Sequence, residues 1–284
     1  MNGGIEARRL GWADADRVLR MLADWAPAGA PVDPLHLGDV GWLLRFEPEL
    51  VDGRLVAWSG SDGPVAVGLV DDDCLRFAFS PDARDLPAAE AVAASLDPLG
   101  GFAQVDAAPG GALWQVLRER GWTAGDDPFG RFYRVLNGPL DPVANAELVG
   151  VAVAPDRVEV QVNSFERSTF SVARWQAMTA PPGGAHCVDV IVRDPNGTAA
   201  AAATGWFAGP GRCALLEPVG THSAYQRRGH GTAAVTAACA ELAARGASGV
   251  AVATPVHNEP AVALYRRAGF ADVDHLTTLR RPAG

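Results

Sequence analysis

The chain contains no lysine; all 24 of its basic side chains are arginines. A phosphate loop of the G-x-x-x-x-G-K-S/T kind is thereby excluded, because its lysine is what reaches the phosphates. Cysteine is scarce as well. Cys74, Cys187, Cys213 and Cys239 form no C-x-x-C pair and sit mostly in apolar runs, which predicts free buried thiols and a reducing, cytoplasmic home. No grouping of His, Cys and carboxylate has zinc spacing, so no metal is expected. Asp71-Asp72-Asp73 reads as a solvated turn. No Ser, His, Asp constellation can be placed. The longest uncharged run, Pro195 to Gly211, is broken by glycines and prolines, and the N-terminus has no apolar signal core, so no membrane segment is expected. Clustered positive charge is also missing. The net charge is −9, all of it carried by residues 1–139, which argues against nucleic acid as a partner. An acidic half either keeps the surface soluble or draws a cationic amine toward a cleft.

A chain of 284 residues suits two domains, each with its own core. The most informative stretch runs from Cys213 to Phe270. Cys213 to Thr221 reads as a buried strand, and after a polar turn Gln226-Arg227-Arg228-Gly229-His230-Gly231 opens a helix that Gly246 closes. A glycine-rich turn feeding a helix N-terminus aims unpaired N–H groups and the positive end of the dipole at one point, where a phosphate is stabilised. Gly229 to Ala234 also satisfies G-x-G-x-x-A. The strand, however, ends well before Gly229, and position 251 lies in the apolar run Val250 to Val252 where a dinucleotide site needs an acid. That reading is weak.

Two motifs in order point elsewhere. Gln226-x-x-Gly229-x-Gly231 resembles the acetyl-CoA signature Q/R-x-x-G-x-G/A of the GNAT acetyltransferase superfamily, and Asn258 to Phe270 resembles the family's N-x-x-A-x-x-L-Y-x-x-x-G-F ending. The resemblance implies an α+β (mixed α/β) fold. Its central sheet is mostly antiparallel, with a V-shaped splay between two strands and helices on both faces.

Upstream, the same order of elements occurs once before. Trp12 to Trp25 has the apolar spacing of an amphipathic helix. Leu55–Trp58 and Val65–Val70 flank the turn Ser61-Asp62-Gly63-Pro64; a strand (Leu75–Phe79), a helix (Pro87–Leu96), a strand (Phe102–Val105) and a helix (Ala112–Arg120) follow, closed by Gly121-Trp122. Asn137 to Pro142 is a turn-rich break. Beyond it come helices at Val158–Glu166 and Ser171–Met178, a strand at Val188–Val192, the turn Asp194 to Gly197, a strand at Thr198–Phe207, and the organising stretch. The chain is thus identified as a tandem GNAT-like protein, with a domain over 1–138 and another over 139–284. The first copy is shorter around the phosphate loop. It offers Leu86-Pro87-Ala88-Ala89 where glycines are needed, and Leu117 where the second has Tyr265, so it reads as degenerate.

The resemblance implies acetyl-CoA as cosubstrate and direct acetyl transfer to the primary amine of a small molecule or peptide in a ternary complex. It places the pantetheine arm along Val219 and Thr221, where a backbone amide polarises the thioester carbonyl, and the pyrophosphate on Gln226, Arg227, Arg228, Gly229, His230, Gly231 and Thr232. Asn258 caps the last helix beside them. Tyr265 matches the family tyrosine that protonates the departing thiolate. Glu217 is the attractive general base: it has the strand parity of Val219 and Thr221, and partial burial would raise its pKa toward the working pH. His222 is a second candidate base, whereas His257 reads as polar filling. The acceptor pocket draws on Phe165, Phe170, Trp175 and Trp206. An acyl-CoA-binding regulatory module without turnover is the alternative from another class, and a mycothiol-synthase-like acetyltransferase a narrower enzymatic one. A homodimer is compatible with either.

Overall fold

A computed structural model of the chain describes residues 4–31 and 33–282. The first half runs β1 (Glu6–Leu10), α1 (Ala15–Trp25), α2 (Leu37–Leu43), α3 (Pro48–Val51), β2 (Leu55–Gly60), β3 (Gly63–Asp71), β4 (Cys74–Phe79), α4 (Leu86–Ser95), β5 (Gln104–Ala107), α5 (Ala112–Glu119), β6 (Thr123–Ala124) and β7 (Phe129–Val135). The second runs β8 (Ala146–Leu148), α6 (Ala154–Ser164), α7 (Val172–Thr179), β9 (Cys187–Arg193), β10 (Ala199–Trp206), β11 (Cys213–Thr221), α8 (His230–Ala244), β12 (Gly249–Pro255), α9 (Glu259–Arg267) and β13 (Ala271–Arg280). The mixed α+β fold with a mostly antiparallel sheet is as the motifs implied. Only β4/β5 and β11/β12 pair in parallel among the described strands.

The local reasons are readable. On α1, Val18, Leu19 and Leu22 form one buried face. Strand β10 is buried along its whole length because α6 and α8 cover opposite faces of the sheet, and its alanines let both helices approach. At Gly205 a Cβ would come within 2.9 Å of Leu242 on α8.

The two halves share one sheet, in the order β1-β2-β3-β4-β5-β13-β7-β12-β11-β10-β9-β8. Strand β7, from the first half, pairs antiparallel with β12 from Phe129 opposite Pro255 to Val135 opposite Gly249. Strand β13, from the second, pairs with β7 at one end and β5 at the other. The closing strands are exchanged, a non-local choice that residue alternation cannot reveal. The helix expected over Val158–Glu166 begins earlier, at Ala154, with Pro155 in its first turn.

The halves also meet through Trp206, which is fully buried. Gly38 and Gly41 on α2 lie flat against its indole: a Cβ at Gly38 would fall 2.6 Å from the ring, and one at Gly41 would overlap it. On the same side of the sheet, Arg157 of α6 is sealed from solvent and fully partnered. Its Nε donates to Asp189 at 2.9 Å, Nη1 to Gln161 at 3.0 Å and Nη2 to Thr204 at 3.1 Å; Trp175 Nε1 donates to the same aspartate at 3.0 Å. Removing one member of a buried ion pair strands the other charge. Asp189→Ala is therefore expected to cost about 3–5 kcal/mol of folding stability, read as a lowered urea midpoint at unchanged slope.

Candidate active site

Strands β11 and β12 pair only over Cys213–Leu215 with Gly249–Ala251, and then diverge. The divergence is the V-shaped splay. Opposite β10, Val219 faces Ala203 and Leu216 faces Gly205, so Glu217 and Pro218 form a bulge with no partner in register. The bulge breaks the strict alternation on which Glu217's orientation was argued: Leu215 through Val219 all line the cavity that fills the splay.

This cavity measures about 360 Å³. From the second half it is lined by Glu217, Val219, Thr254, Asn258 and Tyr265 among others; Pro31, Asp33, His36, Asp39, Arg76, Asp106 and Arg131 come from the first. Tyr265 of α9 is buried between Phe132 and Phe270, with ring centroids 5.9 Å from each. Burial, with the nearby Glu217 charge, pushes its hydroxyl above the ordinary tyrosine range. Asn258 is the N-cap of α9, accepting from Ala261 N–H at 3.3 Å. Glu217 is held at its backbone, where the carbonyl accepts Trp206 Nε1–H at 2.7 Å. Burial first, and the Asp39 carboxylate second, push its pKa up to about 8, against the opposing pull of Arg76.

Beyond the open end of the splay lies the N-terminus of α8. Gly229 is its N-cap at φ +88°, a conformation that favours glycine, and no side chain caps the helix. At Gly231 a Cβ would fall 2.7 Å from both Thr221 Oγ1 and Leu264, so glycine is required there for space. Gln226, Arg227 and Arg228 are exposed around the turn, and His230, Gly231 and Thr232 form the first helical turn. The corresponding helix of the first half, α4, is capped by a side chain: Asp85 accepts Ala88 N–H at 3.0 Å, and Pro87 has no N–H. Leu117, in the position of Tyr265, is fully buried in the core of the first half.

Several expected residues lie elsewhere. Phe170, Trp175 and Trp206 belong to the core shared with α1 and α2, and only Phe165 of the four aromatics reaches the cavity wall. His222 caps a short turn, its Nδ1 accepting Ala224 N–H at 3.1 Å, and His257 pairs with Asp127 at the surface. What sequence reading missed is the contribution of α2, β4 and β5. His36 Nδ1 accepts Gly38 N–H at 3.0 Å, which leaves Nε2 to donate to Cys213 O at 3.1 Å; burial keeps this imidazole neutral. The surplus of acid in the first half and the His36-x-x-Asp39 capping pattern were the available signals. Among the described residues no cluster of His, Cys and carboxylate could hold a metal, and no helix is long and apolar enough to cross a membrane.

Residues 153–270 match the model of the acetyltransferase (GNAT) family, a segment that takes in β10, β11, α8, β12 and α9. Solved structures share the architecture over the whole chain. An acetyltransferase of the GNAT family from Colwellia psychrerythraea superposes with a TM-score of 0.62 at 13% identity, covering 98% of this chain and 100% of its own. A tandem GNAT protein from the clavulanic acid biosynthesis pathway gives 0.58 at 17%, covering 99% and 100%. A GCN5-related N-acetyltransferase from Sphaerobacter thermophilus gives 0.54 at 17%, covering 98% and 95%. No curated protein sequence matches the chain. The fold is that of tandem GNAT proteins, and the match to the acetyltransferase (GNAT) family covers residues 153–270.

The raised Glu217 pKa has a consequence for stability. The folded carboxyl holds its proton more tightly than an unfolded glutamate does, so its contribution is complete below about pH 4.5 and is lost as pH rises through about 8. Between pH 5 and 9 the urea midpoint of Glu217→Gln should therefore fall less than that of the wild type.

Proposed function

We propose that this protein transfers an acetyl group from acetyl-CoA to a primary amine of a small molecule or peptide, with catalysis in residues 139–284 and residues 1–138 a domain that has lost its own cosubstrate site. One observation carries the reading. Glu217 on β11 and Tyr265 on α9 line the same cavity, which opens between the splayed strands next to an uncapped, glycine-lined helix N-terminus.

Acetyl-CoA, when bound, supplies an activated thioester and a thiolate leaving group. The residues of the α8 turn suit its pyrophosphate: the first-turn N–H groups of α8 are not claimed by any side chain, Gly231 leaves their approach clear, and Arg227 and Arg228 add charge-assisted contacts of about 1.5–3 kcal/mol each where they reach the anion. Val219 and Thr221 offer the backbone of β11 as an unpaired edge on the β12 side, the polar surface that an extended amide-bearing arm requires. Glu217, once ionised, removes a proton from the amine. Tyr265, neutral because of its burial, holds a proton for the thiolate. The apolar wall of Val219, Val252, Ala261 and Phe165 excludes water from the reacting atoms.

Tyr265→Phe is expected to lower kcat by about 10²- to 10⁴-fold while acetyl-CoA binding persists. Calorimetric titration should find one acetyl-CoA site per chain, lost in an Arg227→Glu, Arg228→Glu variant. Binding without turnover on any amine of a broad panel would establish a regulatory module instead, and two sites per chain would overturn the assignment of the first half.

A further inference from the structure

A second carboxyl, from the other half of the chain, lines the same cavity as Glu217. Asp39 sits on α2, and its side chain is only 6% exposed. Its Oδ2 accepts the His36 N–H at 2.7 Å, and its Oδ1 accepts Arg76 Nη1 at 3.1 Å. Helix α2 cannot swing away, because His36 Nε2 is tied to Cys213 O on β11 and Gly38 and Gly41 are seated on Trp206. Glu217 is fixed from its own side by the Trp206 hydrogen bond to its carbonyl. Both carboxyls line the cavity.

We infer that Asp39 is a positioning residue for Glu217: the two carboxyls, one from each half, form a hydrogen-bonded pair that holds a single proton, with Arg76 setting the charge against which that proton is held. The inference rests on Glu217 serving as the base in the proposed reaction. Two carboxyls in hydrogen-bonding contact do not ionise together cheaply, so one stays protonated over a range where an isolated glutamate is charged. Other charged groups face the pair from every packed element. Arg76 of β4 binds Asp106 of β5 and Asp71 of β3 as well as Asp39, at 3.3, 3.5 and 3.1 Å. Arg45 follows α2 and, like Arg76, favours the ionised form of Glu217. Asp33 is paired with Arg84, Arg131 of β7 with Asp274, His36 is neutral, and Tyr265 faces Glu217 from α9.

The pair gives the first half a chemical task that needs no cosubstrate site of its own. Above the midpoint of the pair Glu217 is ionised. An acceptor ammonium then gives up one proton: its N–H bond breaks, a Glu217 O–H bond forms, and nitrogen keeps the electron pair with which it attacks. Asp39 thereby sets the pH at which the base becomes available, and does not touch the reacting atoms.

The test needs no acceptor. Protein labelled with [5-13C]glutamate is titrated from pH 5 to 10, and the Glu217 carboxyl signal is assigned by its loss in Glu217→Gln. In the wild type it should titrate well above the other glutamates. Asp39→Asn retains an acceptor for the His36 N–H and should lower the midpoint by at least one pH unit, an at least tenfold weaker hold on the proton. Arg76→Gln should move it upward. A role confined to packing α2 predicts no such opposition, so an unchanged midpoint in Asp39→Asn, or shifts of the same sign in both variants, overturns the pair. Should Asp39→Asn not fold, a downward or absent shift in Arg76→Gln overturns it alone. Turnover separates the two levels: wild-type rates in Glu217→Gln would sink the base of the proposed reaction while the midpoints still decide the pair.

Discussion

The site depends on one indole. Trp206 ends β10 with its ring against two glycines of α2 and its Nε1–H on the carbonyl of Glu217. A residue with a side chain at Gly38 or Gly41 would lift α2 off the ring, and with it His36 and Asp39. A smaller residue in place of Trp206 would leave the carbonyl of a bulged strand without its donor. Large-to-small contact between a helix backbone and an aromatic plane gives little play, since interiors are packed to crystal density. The distance between the first half's acids and the second half's base is thus set by packing, and the charge chemistry of the cavity inherits its precision from an apolar contact.

The splay itself follows from pairing rules. Strands β11 and β12 run parallel and join over only three residue pairs. The bulge at Glu217 and Pro218 then turns β11 away, while β12 stays in the sheet because β7 occupies its other edge for seven residues. A strand zipped along one side cannot follow its neighbour outward. The opening that becomes the cavity is therefore a product of the exchange between halves as much as of the bulge.

Much of this was legible in the sequence, and the limits have physical reasons. The glycines at 229 and 231, the helix behind them, Asn258 as a cap and the aromatic at 265 carry their conformational meaning locally, so their placement could be read from spacing. The mixed fold and the sheet splay came with the family resemblance. Strands β7 and β13 could not be assigned partners, because alternation says that a segment is extended and nothing about which edge it joins. Helix α2 was passed over for a related reason: seven residues, two of them glycines chosen for contact with Trp206, lack the propensity and length of a recognisable helix. Its one acid, Asp39, was not singled out from the acidic surplus of the first half because burial is a tertiary fact. Phe170, Trp175 and Trp206 were drawn to the pocket by their chemistry alone, and the structure spends them on the core.

The position of β13 bears on how the protein is made. Its ten residues close the gap between β5 and β7, and they leave the ribosome after every other described strand. Until they emerge, β5 presents an open edge and β7 has no neighbour on that side, so the first half cannot finish its sheet while the second is still being synthesised. The halves look like beads in sequence, yet they reach their native topology in one late step of high contact order. An N-terminal fragment ending at the turn-rich break would expose the edge that β13 covers, and a C-terminal fragment beginning there would lack the strand that holds β12 in place. The order of elements repeats, but the exchange of closing strands makes the two halves one folding unit.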